Sequence, residues 1–163
     1  MCIRDSFDPH ISKRYDVGIV PHYEDKNHPW VDRVGADPSV RIIDVTGDVF
    51  DFVREIKSCD IIIASSLHGL ICADAYGVPS LWMELSDKVV GEGFKFRDYF
   101  ASVGREVDAP VRPSVTTPLS RIVMKADKYR IRIDLTQLLL SCPFLKRSLR
   151  TRLERESLVG CRA

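Results

Sequence analysis

The sequence lacks a long apolar run. No stretch of its 163 residues approaches the ~20 needed to span a bilayer, which argues against a membrane-spanning helix. It also lacks paired cysteines. Cys2, Cys59, Cys72, Cys142 and Cys161 are odd in number and form no C-x-x-C pair, so neither a disulfide framework nor a closed zinc site is expected. No signal-peptide pattern opens the given sequence, and the thiols are expected to be free in a reducing cytosol. There is little excess charge of either sign: the net charge is +1, which gives no reason to expect nucleic acid as a partner. Repeats and low-complexity segments are missing too. With 45% apolar residues, the chain is long enough for one domain with a real core.

What is present is a pattern of alternating strands and helices. Tyr15 to Val20, closed by Pro21, reads as a buried strand. Residues 22 to 38 are polar with prolines at 29 and 38, and are expected to form a loop. Val40 to Asp44 reads as a second strand. Thr46-Gly47-Asp48 offers N-cap candidates for a helix carrying Val49, Phe50, Phe52, Val53 and Ile56. Asp60 to Ala64 is β-branched and unalternating, as a strand buried on both faces would be. A helix from Leu67 to Tyr76 follows, capped by Ser65 or Ser66, ended by Gly77 and barred from continuing by Pro79. Ser80 to Leu85 reads as the fourth strand, Ser86 to Lys95 as a glycine-bearing loop, and Phe96 to Val103 as a short helix. Residues 107 to 118 hold three prolines and read as a connector. Leu119 to Tyr129, Leu135 to Leu140 and Phe144 to Leu158 have helical character. The alternation predicts an α/β fold: a Rossmann-like parallel sheet with helices on both faces, followed by C-terminal helices.

In a parallel sheet the carboxyl ends of all strands share one edge, where open α/β sheets bind ligands. Each predicted strand ends in polar residues: His22, Asp44, the group Ser65, Ser66 and His68, and Glu84. His68 falls on the first turn of a helix. Imidazole can give or take a proton near neutral pH, so His68 is the catalytic candidate. The helix start favours anions, and Ser65, Ser66 and Gly69 are candidates for holding one. Lys88, Lys95 and Arg97 flank the glycine loop and could close on the same anion, Arg97 as a bidentate fork. His22, Asp44 and Glu84 are candidates for an acceptor or cleft role. Asp25 and His28 read as loop surface. Their spacing with His22 matches no closed zinc pattern, so no metal site is expected.

These motifs resemble the polysaccharide pyruvyl transferase family. The resemblance is carried by Asp16 to Tyr23, Ser65-Ser66-Leu67-His68-Gly69-Leu70-Ile71, Ala75-Tyr76-Gly77-Val78-Pro79, Ser86-Asp87-Lys88 and Phe94 to Phe100. It implies a fold similar to GT-B glycosyltransferases, with this chain as the C-terminal of two Rossmann-like domains. It further implies pyruvyl transfer from phosphoenolpyruvate to a sugar hydroxyl or hydroxyl pair in exopolysaccharide biosynthesis, with His68 as general acid/base and Lys88 beside the donor. Phosphoenolpyruvate is then a substrate, and no cofactor is called for. The acceptor is a saccharide or lipid-linked saccharide, and the expected location is cytoplasmic, at or near the inner membrane face. There is one departure: Ser66 stands where the family pattern often has arginine. Arg97, Lys95 or a residue from the other half would have to compensate.

The resemblance also frames the organisation. Residues 1–6 resemble a translated cloning adaptor and are set aside as a non-native leader. Residues 7–118 form the transferase domain and 119–163 a helical extension. The native protein is expected to begin upstream, and the fragment to be inactive without its N-terminal half. From Ser141 onward six Lys or Arg face two Glu, with Leu145, Leu149 and Leu153 along one side. That tail reads first as a solvated helix face, and otherwise as a peripheral contact with anionic lipid. Two competing readings remain. One is a GT-B glycosyltransferase binding a nucleotide sugar with Asp74 near the donor. The other is a non-catalytic glycan-binding domain.

Overall fold

The computed structural model describes residues 7–89, 91, 93–106 and 109–126. Its strands are β1 (Tyr15–Val20), β2 (Val40–Ile42), β3 (Cys59–Ala64) and β4 (Ser80–Trp82). The helices are α1 (Pro29–Gly35), α2 (Val49–Lys57), α3 (Leu67–Tyr76), α4 (Phe94–Ser102) and α5 (Leu119–Val123), with a 3-10 turn at Tyr23–Asp25. The four strands form one parallel sheet in the order β2-β1-β3-β4.

This order fixes where a ligand can enter. The chain steps from β1 outward to β2, then crosses back over β1 to reach β3 and β4. The direction reverses between β1 and β3. Such a switch point opens a crevice outside the carboxyl ends of the two strands, because their connections leave to opposite faces. The core confirms the two faces. On one side Val20, Ile43, Ile62 and Ala64 pack with Phe52 and Ile56 of α2, Leu70 and Ala73 of α3, and Phe96 and Phe100 of α4. On the other, Val17, Ile19, Ile63, Leu81 and Met83 pack with Trp30, Val31 and Val34 of α1 and Ile122 of α5. The Rossmann-like α/β expectation therefore holds for the described residues.

Two local expectations are corrected. The segment 22 to 38 is not one loop. Pro29 opens α1, where its missing N–H costs nothing and its fixed φ suits a first turn. His28 caps that helix, its Nδ1 accepting from the Trp30 amide at 3.2 Å. Residues 107 to 118 are likewise more than a connector. Val111 lies parallel to Met83 and prolongs the sheet past β4, donating to Trp82 O at 3.0 Å and accepting from the Glu84 amide at 2.9 Å. β4 itself is shorter than expected, and α4 starts two residues earlier, at Phe94. Residues 1–6, the end of the 119 to 129 helix and the two helices expected after it, basic tail included, lie outside the described residues. Among the described residues no helix is long and apolar enough to cross a membrane.

Candidate functional site

The site forms at the switch point because β1 and β3 end side by side there. Val20 pairs with Ala64, and the Ser65 and Ser66 amides both donate to Val20 O, at 3.1 and 3.3 Å. The chain after β1 turns over these serines, and the His22 amide donates to Ser65 Oγ at 2.9 Å. The chain after β3 runs straight into α3, so His68 sits on the helix's first turn with its side chain exposed. The Gly69 amide donates to Ser66 O at 3.1 Å, which leaves the Leu67 and His68 amides of the first turn without an acceptor in their own helix and available to an anion.

Gly69 explains how closely α3 approaches the strands. A Cβ there would lie 2.9 Å from Cβ of both Ala64 and Val20. The glycine thus faces the sheet, and helix–strand packing is what demands it. Close approach of a ligand to its Cα, one of the two roles open from the sequence, has no room on that side.

Neither serine caps α3 through its side chain. Ser65, 2% exposed, uses its hydroxyl on the loop after β1. Ser66 occupies the N-cap position and is 1% exposed, and its hydroxyl has no hydrogen bond among the described residues. A buried hydroxyl without a partner is uncommon, and here it adjoins the open helix amides.

His22 stands next to this start. Its Nδ1 accepts from the Glu24 amide at 3.4 Å, and its ring leans on exposed Tyr23 with centroids 4.3 Å apart. Burial lowers the His22 pKa, and the positive charge of Lys95 lowers it further; Asp25 and Glu24 oppose this, and His68 adds a smaller lowering. Lys95 and His68 are therefore both near enough to act on His22.

The remaining candidates are less central. Asp44 is exposed and committed to its own turn, bonding Lys26 Nζ at 2.8 Å, the Thr46 amide at 2.8 Å and Thr46 Oγ1 at 2.7 Å. The Lys26 ammonium first, and Thr46 after it, hold its carboxyl well below the usual carboxylate range. Glu84 receives Arg112 at 3.0 Å. With Ser65, Trp82, Val89, Gly93 and Phe96 it lines a narrow crevice whose lining includes no histidine. Lys88 and Arg97 are exposed.

The residues that sequence reading missed are Asp25 and Ser86. Asp25 is not loop surface: it is 2% exposed, accepting from Ser65 Oγ at 3.2 Å and from Ser86 Oγ at 2.5 Å. A carboxylate four residues after a proline-terminated strand gives no periodic signal, since the 3-10 turn that buries it is set by tertiary contacts. Asp74, offered for a nucleotide sugar, lies elsewhere. It occupies the last turn of α3 and pairs with buried Arg105 at 3.2 Å, at the amino edge of the sheet where β4 begins.

The model of the polysaccharide pyruvyl transferase family matches residues 3–87, which take in β1 through β4, Asp25, Ser65, Ser66, His68, Glu84 and Ser86. The chain belongs to this family. Lys88, Lys95 and Arg97 fall beyond the matched span. Two curated relatives match part of the chain. One is the uncharacterized protein L143 of Acanthamoeba polyphaga mimivirus, 34% identical over 103 residues that cover 58% of this chain and 34% of that protein. The other is the succinoglycan biosynthesis protein ExoV of Rhizobium meliloti (strain 1021), 31% identical over 94 residues that cover 58% of this chain and 29% of that protein. The chain thus spans about a third of the length of the curated relatives it matches. No solved structure matches it.

Proposed function

We propose that this domain supplies the donor and proton-transfer side of a pyruvyl transferase acting on a polysaccharide precursor. Family membership supports the reaction class, and the name of the ExoV relative places that protein in succinoglycan biosynthesis. The observation that carries the reading is the position of His68: an exposed imidazole on the first turn of α3, at the switch point, beside a helix start with open amides.

Phosphoenolpyruvate carries a carboxylate and a phosphate. The α3 amides and Ser66 are suited to one of these anions, with Lys95 the cation at hand in place of the arginine the family pattern would put at 66. His68 takes the proton of an acceptor hydroxyl as its oxygen bonds to the enol carbon, and passes a proton to the methylene carbon, which becomes a methyl. A second hydroxyl then displaces phosphate, its proton leaving with the departing group, and the pyruvate ketal closes. Exposed Tyr23 beside His22 offers a face for the acceptor sugar. Residues on the other wall of the cleft come from the rest of the protein.

The nucleotide-sugar reading loses the residue it relied on, since Asp74 is neutralised by Arg105 at the far edge. The experiment is His68→Ala in the full-length protein. Ketal formation should fall about 10²–10⁴-fold, the usual contribution of a positioned acid/base. The melting temperature should stay put, because the side chain is exposed. Undiminished ketal formation would remove His68 from the mechanism.

A further inference from the structure

Asp25 is a buried carboxylate with no ion-pair partner among the described residues; its side-chain contacts are two hydroxyls. Oδ2 receives Ser65 Oγ at 3.2 Å and Oδ1 receives Ser86 Oγ at 2.5 Å. Each hydroxyl in turn accepts a backbone amide, Ser65 from His22 at 2.9 Å and Ser86 from Lys88 at 3.3 Å.

Counting protons makes this arrangement directional. A backbone N–H can only donate, so each serine oxygen acts as acceptor toward it and still has one proton to give. Both protons go to Asp25. Both carboxylate oxygens then act as acceptors, a role a carboxylate can fill on both sides and a carboxamide cannot. Two relays leave one side chain: Asp25 to Ser65 to the His22 backbone, and Asp25 to Ser86 to the Lys88 backbone. They join the chain after β1, the end of β3 and the loop after β4. Burying a charge without a counter-ion is costly, and packing alone would be served as well by an apolar group.

We propose that Asp25 is the positioning residue of this site, fixing the backbone of His22 and Lys88 against the strand end that leads to His68. This rests on the pyruvyl-transfer reading for its ligand, although the relays themselves do not depend on it. The carboxylate holds the anion cradle in shape before the donor arrives, and its charge stays out of the donor's reach because both oxygens are occupied. It also acts on His22 against burial, Lys95 and His68, with Glu24 assisting.

The test uses Asp25→Asn, which keeps the shape and leaves one acceptor oxygen. In this chain, exchange of the His22 amide with solvent should quicken about tenfold while the β3 amides keep their rates, and His22 should titrate at lower pH by NMR. The phosphoenolpyruvate concentration at half-saturation should rise about tenfold. The His22 titration reads the loss of the nearby charge, while the amide exchange and the phosphoenolpyruvate half-saturation read the loss of the relay. Ser86→Ala gives a second arm that spares the fold: it should weaken phosphoenolpyruvate binding and leave the His22 titration in place. An Asp25→Asn chain with parental His22 exchange and titration would overturn the proposal, as would phosphoenolpyruvate binding unchanged in both variants. If the parent chain binds no phosphoenolpyruvate, the donor reading fails by itself, and the His22 measurements still decide the role of Asp25.

Discussion

Two buried aspartates sit at opposite edges of the same sheet and are satisfied in different ways. Asp74, at the amino edge, receives Arg105 Nη1 at 3.2 and 3.3 Å, Tyr99 Oη at 3.0 Å and Ser80 Oγ at 3.1 Å. Arg105 also bonds Ser80 Oγ and Ser80 O, both at 3.0 Å, and lies over the Phe100 ring. Its charge is neutralised, and its donors come from β4, α4 and Arg105, three residues past the end of α4. Asp25, at the carboxyl edge, has only hydroxyl donors. Beside it stand the half-buried His22 ring and the exposed Tyr23 ring. A closed charged network welds elements together. An open one, next to helix amides without acceptors, is left in register for a ligand.

The sharpest way to break this contrast is Arg105→Met. It leaves Asp74 charged in the interior, and losing one partner of a buried pair costs about 3–5 kcal/mol. Denaturant unfolding should show that loss, with donor binding at the other edge retained wherever the fold persists. A loss below about 1 kcal/mol would mean that the Asp74 network is not the clamp the geometry describes. Gly69→Ala should come next, at about 1–3 kcal/mol of overpacking. The new methyl would push α3 away from Val20 and Ala64, so stability and donor binding should fall together. That coupling distinguishes it from Arg105→Met, and a variant that loses stability but binds donor normally would show that the α3 start is not part of the cradle.

The same contrast explains what the sequence could reveal. The parallel sheet, α2, α3 and the convergence of polar strand ends were legible because each leaves a local mark. These are the Ile61-Ile62-Ile63 run, the Asp48 cap, Gly77 with φ 66°, and Ser65 through Gly69 after a strand. His68 was legible for the same reason. α1 was hidden because Pro29 reads as a breaker until its neighbour His28 is seen to cap the helix. The bridge from Met83 to Val111 was hidden because a single residue of pairing has no period. Both buried aspartates were hidden most completely. Their burial depends on partners 6 to 61 residues away, Ser80, Tyr99 and Arg105 in one case, Ser65 and Ser86 in the other. Nothing in the local composition distinguishes Asp25 from the exposed Glu24 before it.

The smallest expected effect is a pH dependence that belongs to the carboxyl edge. Burial, then Lys95, lowers the His22 pKa below 6.5 in the folded protein. Above that value both folded and unfolded chains carry a neutral imidazole, and the native contribution is complete. As pH falls through 6.5 the unfolded chain takes up the proton first, so stability declines, and the decline stops once pH passes below the folded value. Melting temperature should therefore slope downward from pH 7.5 toward 5.5, and His22→Gln should flatten that part of the slope. The effect is modest because the ring is only partly buried and solvent screens it. Lys95→Met should reduce it by removing the second cause. An anion bound at the α3 start should do the same more strongly, by offsetting Lys95 and favouring the protonated ring. Donor affinity should then rise as pH falls across this window, and His22 should titrate higher in the presence of phosphoenolpyruvate. A His22 signal that ignores phosphoenolpyruvate while the ligand binds elsewhere would separate the switch point from the donor site, and the two edges would lose the functional difference drawn between them.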